Sequence, residues 1–228
     1  MAVTNIDMKI SVVGSDDGKE TFEVSRIWDS DKKKALVFEL YPTITAEQAL
    51  CVDKSTAALI NHADYFGWGM VTICNLYSDV FTSKPLVANL RESPENFQHI
   101  EESLDASEKG GYDEIVIAWG SSLATHTGTN VIKQYILNLL LERGLLEKTK
   151  HIVTELLMTN DGIGTHPLYL SLRHNSEEWY LYPYPLEDEL ERLNMLASET
   201  EENQDKENSK ENKANRRRAK KQCAITES

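Results

Sequence analysis

Ala35-Leu36-Val37-Phe38-Glu39-Leu40-Tyr41-Pro42 is the stretch on which the reading of this chain turns. The run from Ala35 to Leu40 is short and apolar, and Pro42 cannot donate to a strand ladder. It therefore reads as a buried strand that stops at its carboxyl end. Working outward, the same form recurs at Met70–Cys74, Glu114–Trp119 and Ile152–Met158. Between these runs lie helical stretches: Ala46–Phe66, Pro94–Ser107 behind an N-cap at Ser93, and Thr129–Arg143. In the last, Val131, Ile132, Tyr135, Ile136, Leu139 and Leu140 form one stripe, and Gly144 marks its end. Four buried strands alternating with helices predict an α/β fold: three α/β/α layers around a central four-stranded parallel sheet. Met8–Val13 and Thr21–Trp28, around Ser15-Asp16-Asp17-Gly18, predict an N-terminal hairpin. Tyr77–Ser93 reads as a long loop. Tyr169–Leu172 and Trp179–Tyr182 read as short strands, and Leu186–Leu196 as a final amphipathic helix.

Charge divides the chain. Its 228 residues carry 24 basic and 37 acidic side chains, a formal net charge of −13. Residues 198–228 hold 8 bases and 7 acids, which leaves −14 on residues 1–197. The expected organisation is one domain over 1–197 and a disordered charged tail over 198–228, because that tail has almost nothing apolar to bury. Within it, Lys213, Arg216, Arg217, Arg218, Lys220 and Lys221 form a basic cluster suited to nucleic acid or an acidic partner, or simply a solvated tail that improves solubility. The acidic body argues against tight duplex binding, which needs Lys and Arg on phosphates. It leaves room for a pocket that takes one base or a short single strand. No apolar run reaches the ~18 residues of a membrane span, so no membrane role is expected. Cys51, Cys74 and Cys223 have no metal-ligand spacing and are odd in number, which points to free thiols in a cytoplasm. With no His-Glu-x-x-His or Cys-x-x-Cys, no metal and no cofactor are expected.

Right-handed crossovers bring the carboxyl ends of parallel strands to one edge, where open α/β sheets bind ligands. The loops there hold Tyr41-Pro42-Thr43, Asn75-Leu76-Tyr77, Gly120-Ser121-Ser122 and Gly162-Ile163-Gly164-Thr165-His166-Pro167. None carries a phosphate-binding glycine fingerprint or a Gly-x-Ser-x-Gly elbow. The Asn75 amide offers a donor and an acceptor to the edge of a base, or closes the strand as an Asx turn. His166 supplies a donor to a developing oxyanion, or is an ordinary loop histidine. Tyr41, Tyr77 and Phe81 are aromatic candidates for stacking on a base, or simply for covering the sheet edge.

The ordered blocks Arg26-x-Trp28, Leu40-Tyr41-Pro42-Thr43, Asp53-Lys54-Ser55-Thr56, Gly67-Trp68-Gly69, Asn75-Leu76-Tyr77, Ala118-Trp119-Gly120 and His166-Pro167-Leu168-Tyr169-Leu170 resemble a bacterial and phage family, domain of unknown function 1643. The resemblance runs from about Ser25 to Leu172. That family in turn resembles the uracil-DNA glycosylase superfamily. The resemblance implies the first core strand placed between the second and third. It implies Asn75 as reader of a flipped base and His166 as the histidine facing the uracil carbonyl, with Pro42 and Tyr77 beside the base. One departure matters. Where relatives carry Asp or Asn before the proline, this chain has Tyr41. A tyrosine titrates near ~10 against ~3.9 for Asp, so Tyr41 is a poor general base. Thr43-Ile44 replaces the family's Ser-Thr, and Gly164 stands where relatives carry proline.

The expectation is a glycosylase-like protein that binds a nucleobase or single-stranded DNA, with weak or no glycosylase activity. Two alternatives stand beside it. One is an active base-excision enzyme in which Glu47, Asp53 or another acid replaces the lost base. The other is an acidic interaction protein of a phage or mobile element that holds a protein partner.

Overall fold

The computed structural model describes residues 4–158 and 164–198. The expected charged tail, with Arg216, Arg217, Arg218, Lys220 and Lys221, lies outside the described residues, as does most of the loop before His166. The backbone falls into two units, residues 1–186 and 187–228. The described part of the second, residues 187–198, is helical, with Arg192 forked onto both carboxylate oxygens of Glu189 at 2.7 Å.

The first unit is built on a mixed sheet. Its strands are β1 (Lys9–Gly14), β2 (Thr21–Ile27), β3 (Lys33–Glu39), β4 (Trp68–Asn75), β5 (Glu114–Ile117), β6 (Thr149–Val153) and β7 (Tyr180–Pro183). Their order is β1-β2-β4-β3-β5-β6-β7. The four core strands β4, β3, β5 and β6 are parallel, with β3 between β4 and β5 as expected. The sheet is nonetheless wider than the four strands foreseen. The N-terminal hairpin joins it, because β2 pairs antiparallel with β4, and β7 closes the other side antiparallel to β6. A hydroxyl pair, Ser25 Oγ and Thr72 Oγ1 at 2.8 Å, helps fix the β2–β4 register.

Both faces of the core are covered, which is why its strands lack a polar alternation. Ala35, Val37, Val71, Ile73, Val116 and Ile152 share one face with Leu59, Ala63 and Phe66 of α1 (Lys54–Phe66) and Leu170 of α5 (Pro167–Arg173). The intervening residues, among them Leu36, Phe38 and Cys74, point the other way. There lie α2 (Pro94–Glu108) and α3 (Thr127–Glu142). Cys74 Sγ is 3.9 Å from Ser103 Oγ of α2, and Arg143, just past α3, donates to Asp105 of α2 at 2.7 Å.

Local chemistry sets the boundaries. Residues 46–66 do not form one helix. Ala46–Gln48 makes a 3₁₀ turn under a Thr45/Gln48 capping box, and α1 starts only after Asp53, whose carboxylate accepts from the Thr56 N–H. The strand expected over 152–158 ends at Val153, and α4 (Glu155–Met158) follows as one helical turn. The strand expected at Tyr169–Leu172 is helical, because Pro167 occupies the first turn of α5 behind a His166 cap.

The Gly67-Trp68-Gly69 block is architectural. Gly67 takes the left-handed conformation (φ 73°) that ends α1. The Trp68 indole N–H donates to Glu114 at 2.6 Å. Gly69 lets Trp28 and Asp29 close on its carbonyl, and a Cβ there would collide with the Asp29 carbonyl oxygen.

Candidate functional site

The carboxyl ends of the parallel strands meet at a cavity of about 420 Å³. Four stretches carry its polar lining, one of them the segment after β5, which brings Ser122. The end of β3 and the segment after it bring Glu39, Tyr41 and Thr43. The N-cap of α1 brings Asp53, and the segment into α5 brings His166, with Tyr169 and Arg173 from α5 itself.

The end of β3 is held by its neighbours. The Leu76 and Tyr77 N–H groups donate to the carbonyls of Glu39 and Leu40, both at 3.0 Å, and Ala118 N–H donates to Phe38 at 2.9 Å. Pro42 is buried and its carbonyl accepts from Phe81 N–H at 2.9 Å. Tyr41 then meets Phe81 edge to face, ring centroids 5.7 Å apart. Asp53 is placed from beneath by Arg26, whose buried guanidinium donates to the carbonyls of Ala49 and Cys51. Each Asp53 oxygen has a donor: Thr56 N–H on Oδ1 and Thr43 hydroxyl on Oδ2.

His166 is the most constrained group. Gly120, at the exit of β5, has a positive φ of 65° and donates to the Gly164 carbonyl at 2.7 Å. A Cβ on Gly120 would press on the His166 Cβ at 3.0 Å, so the Trp119-Gly120 end of β5 is shaped to admit this histidine. His166 Nδ1 accepts from the Leu168 N–H at 3.2 Å, which assigns the ring proton to Nε2. Nε2 lies 3.8 Å from Glu39 Oε2. Burial, opposed in part by the Asp53 charge, lowers the His166 pKa to about 4, so the ring is neutral at pH 7.

Glu39 was missed by the sequence reading. Its carboxyl is almost wholly buried, and burial, reinforced by the Asp53 charge, pushes its pKa well above the ordinary carboxylate value. Its Oε1 has no hydrogen-bond partner among the described residues. The signal was in the sequence: a lone acid inside an otherwise apolar strand, two residues before the tyrosine that was singled out. Burial also raises the Tyr41 pKa, keeping the phenol protonated.

Of the residues singled out from sequence, the fold brings Tyr41 and His166 to one cavity. Asn75 does not line it. It pairs in register with Glu39, so its side chain leaves the sheet on the same face, and its Oδ1 is buried without a partner among the described residues. Tyr77 is buried, with its hydroxyl 2.7 Å from Thr129 Oγ1, and so serves the start of α3. Glu47 is exposed on the 3₁₀ turn and does not line the cavity, whereas Asp53 does.

Fold and site together define a mixed α/β protein with a polar, hydrogen-bonding pocket at the carboxyl edge of its parallel core. Residues 22–168 match the model of the family described as Protein of unknown function (DUF1643), and the chain belongs to that family. Comparisons with curated proteins and with solved structures each found no match.

Proposed function

We propose that this protein is a uracil-DNA glycosylase-like nucleobase binder, acting on a free base or one presented by single-stranded DNA, with weak or no glycosylase activity. The observation that carries the reading is the convergence of Tyr41, His166 and Glu39 on one cavity at the carboxyl edge. The strand order β4-β3-β5-β6 supports the same kinship.

The chemistry suits a neutral heterocycle. His166 offers an Nε2–H on a ring that is neutral at pH 7, Tyr41 a phenol, and Glu39 a buried carboxyl whose pKa is pushed well above the ordinary value. Two buried oxygens, Glu39 Oε1 and Asn75 Oδ1, sit on register-paired residues and have no partner among the described residues. Buried polar atoms of that kind call for a partner, and the edge of a base supplies donors and acceptors together. Arg173, also on the lining, offers a positive charge to a phosphate.

Hydrolysis is a different demand. A base leaving as an anion would gain from the His166 Nε2–H donor. Activation of water needs a general base; neutral Tyr41 is a poor one, and burial holds the Glu39 carboxyl toward its protonated form. General-base contributions are ~10²–10⁴-fold, so the wild type is expected to excise slowly or not at all. Asp53 favours a second reading, an active enzyme, because it is the remaining carboxylate on the same cavity.

The test pairs binding with cleavage. A single-stranded oligonucleotide carrying one uracil is compared with the same strand carrying an abasic analogue. The uracil strand is expected to bind at least tenfold tighter, and His166→Ala and Glu39→Leu to erase that difference. Equal binding of both strands would refute the pocket as a base site. Abasic-site formation is then followed in wild type, Tyr41→Asp, Tyr41→Asp with Asn75→Ala, and Asp53→Asn. A gain in Tyr41→Asp that Asn75→Ala removes supports the reading. Fast wild-type cleavage lost in Asp53→Asn establishes the enzyme instead.

A further inference from the structure

On the face of the sheet opposite the cavity, Glu23 of β2, Cys74 of β4 and His99 of α2 bring one donor atom each into a group whose members all lie within 4.8 Å of one another. We propose that these three side chains form a binding site for a divalent transition-metal ion of the zinc class. The proposal stands independently of the base-binding reading, since Asn75 and Cys74 are consecutive in β4 and face opposite sides.

Each donor is placed by rigid structure. Glu23 and Cys74 are register partners in the antiparallel β2–β4 pair, so their side chains emerge together on one face. α2 lies across that face and lowers His99 onto them, with His99 Nε2 3.0 Å from Glu23 Oε2. Ser103, one turn further along α2, is 3.9 Å from the Cys74 sulfur. Tetrahedral zinc takes sulfur at ~2.3 Å and nitrogen or oxygen at ~2.0–2.2 Å, which sets donors ~3.3–3.8 Å apart. The three donors already lie within 4.8 Å of one another, close to that spacing.

The donor set also selects the ion. A thiolate with an imidazole favours zinc and its borderline-soft neighbours over magnesium or calcium, which prefer oxygen. The thiol is fully buried while the Glu23 and His99 side chains are 16% and 19% exposed, so the open coordination position faces their side. Three protein ligands and one open position is the pattern of an exchangeable or catalytic site rather than a closed structural one. Binding is a proton exchange: the Cys74 S–H bond breaks, a sulfur–metal bond forms, and one proton passes to solvent with no change of oxidation state.

The experiment uses the full chain with Cys51→Ser and Cys223→Ser, so that Cys74 is the sole thiol, titrated with cobalt(II). The expected result is one equivalent bound, with a near-ultraviolet sulfur-to-cobalt charge-transfer band and the visible bands of four-coordinate cobalt, both bleached by zinc. Adding Cys74→Ser is expected to abolish the charge-transfer band. His99→Gln and Glu23→Gln, at part-exposed positions where folding is retained, are expected to weaken cobalt at least tenfold each with an unchanged far-ultraviolet spectrum. Absence of the charge-transfer band in the sole-thiol protein overturns the proposal. So does cobalt affinity indifferent to both His99→Gln and Glu23→Gln.

Discussion

Replacing His166 by Asn isolates one proton. Asparagine is a strong N-cap residue and can accept from the Leu168 N–H as Nδ1 does, so α5 keeps its start. What it removes is a titrating group that the fold holds near about 4 instead of 6.5. In the unfolded chain the imidazole takes up its proton near 6.5; in the folded protein, only near 4. Between those values the unfolded state binds more protons, so wild-type stability is lost as pH falls through the window and levels off below it. At ~1.36 kcal/mol per pH unit, the interval converts to ~3 kcal/mol, an upper figure because the side chain is 23% exposed. Against a total stability of ~5–15 kcal/mol this is a large share. The assay is urea unfolding of both proteins from pH 7.5 to pH 4. Glu39 and Asp53, the titratable groups facing His166, are present in both and largely cancel in the difference. The wild type is expected to lose ~2–3 kcal/mol relative to His166→Asn across the window. A difference that stays flat with pH would show that the fold does not hold this imidazole neutral.

Glu39→Gln should show the opposite slope. The folded state keeps a proton that the unfolded carboxyl gives up near its ordinary pKa, so wild-type stability falls as pH rises from there toward the raised folded value. Urea midpoints at pH 5 and pH 8 should therefore show the variant gaining on the wild type at the higher pH, and a gain at the lower pH only would contradict the assignment. Gly69→Ala should cost ~3 kcal/mol or more, because its Cβ meets backbone, the Asp29 carbonyl, and nothing flexible can give way. Thermal melting checks it, and a Tm within a few degrees of wild type would show that the β2–β3 connection yields.

The core of the fold was legible because its strands are buried on both faces. Such strands carry a mainly apolar run without polar alternation, and 35–40, 70–74 and 114–119 each do, broken only by Glu39, Thr72 and Glu114. The added strands were less legible for the same physical reason. β2 and β7 are partly exposed, and which neighbour a half-buried strand joins depends on partners far along the chain. Short-range chemistry explains the remaining misses. Ser93-Pro94 reads as a helix start and is one, yet His166-Pro167 obeys the same rule, and Tyr169–Leu172, which reads as a strand, lies in the helix it starts. His126 likewise caps α3 through Nδ1, which moves that helix start two residues ahead of Thr129.

The candidate site shows where sequence order stops being informative. Tyr41 drew attention as the residue in the wrong place, but its consequence depends on Glu39, which the same strand buries beside it. A carboxyl inside an apolar strand is costly unless it is neutral or paired. Here burial pushes it toward its protonated form, which shapes the pocket's acid–base chemistry. A carboxyl with a raised pKa and a neutral imidazole, 3.8 Å apart, make a hydrogen-bonding surface. The metal-binding triad repeats the point on the other face. Glu23, Cys74 and His99 are far apart in the chain and share no short motif, so only the β2–β4 register and the crossing of α2 make them neighbours. In both places the backbone pairing, by choosing which residues stand side by side, creates chemistry that no single stretch of sequence contains.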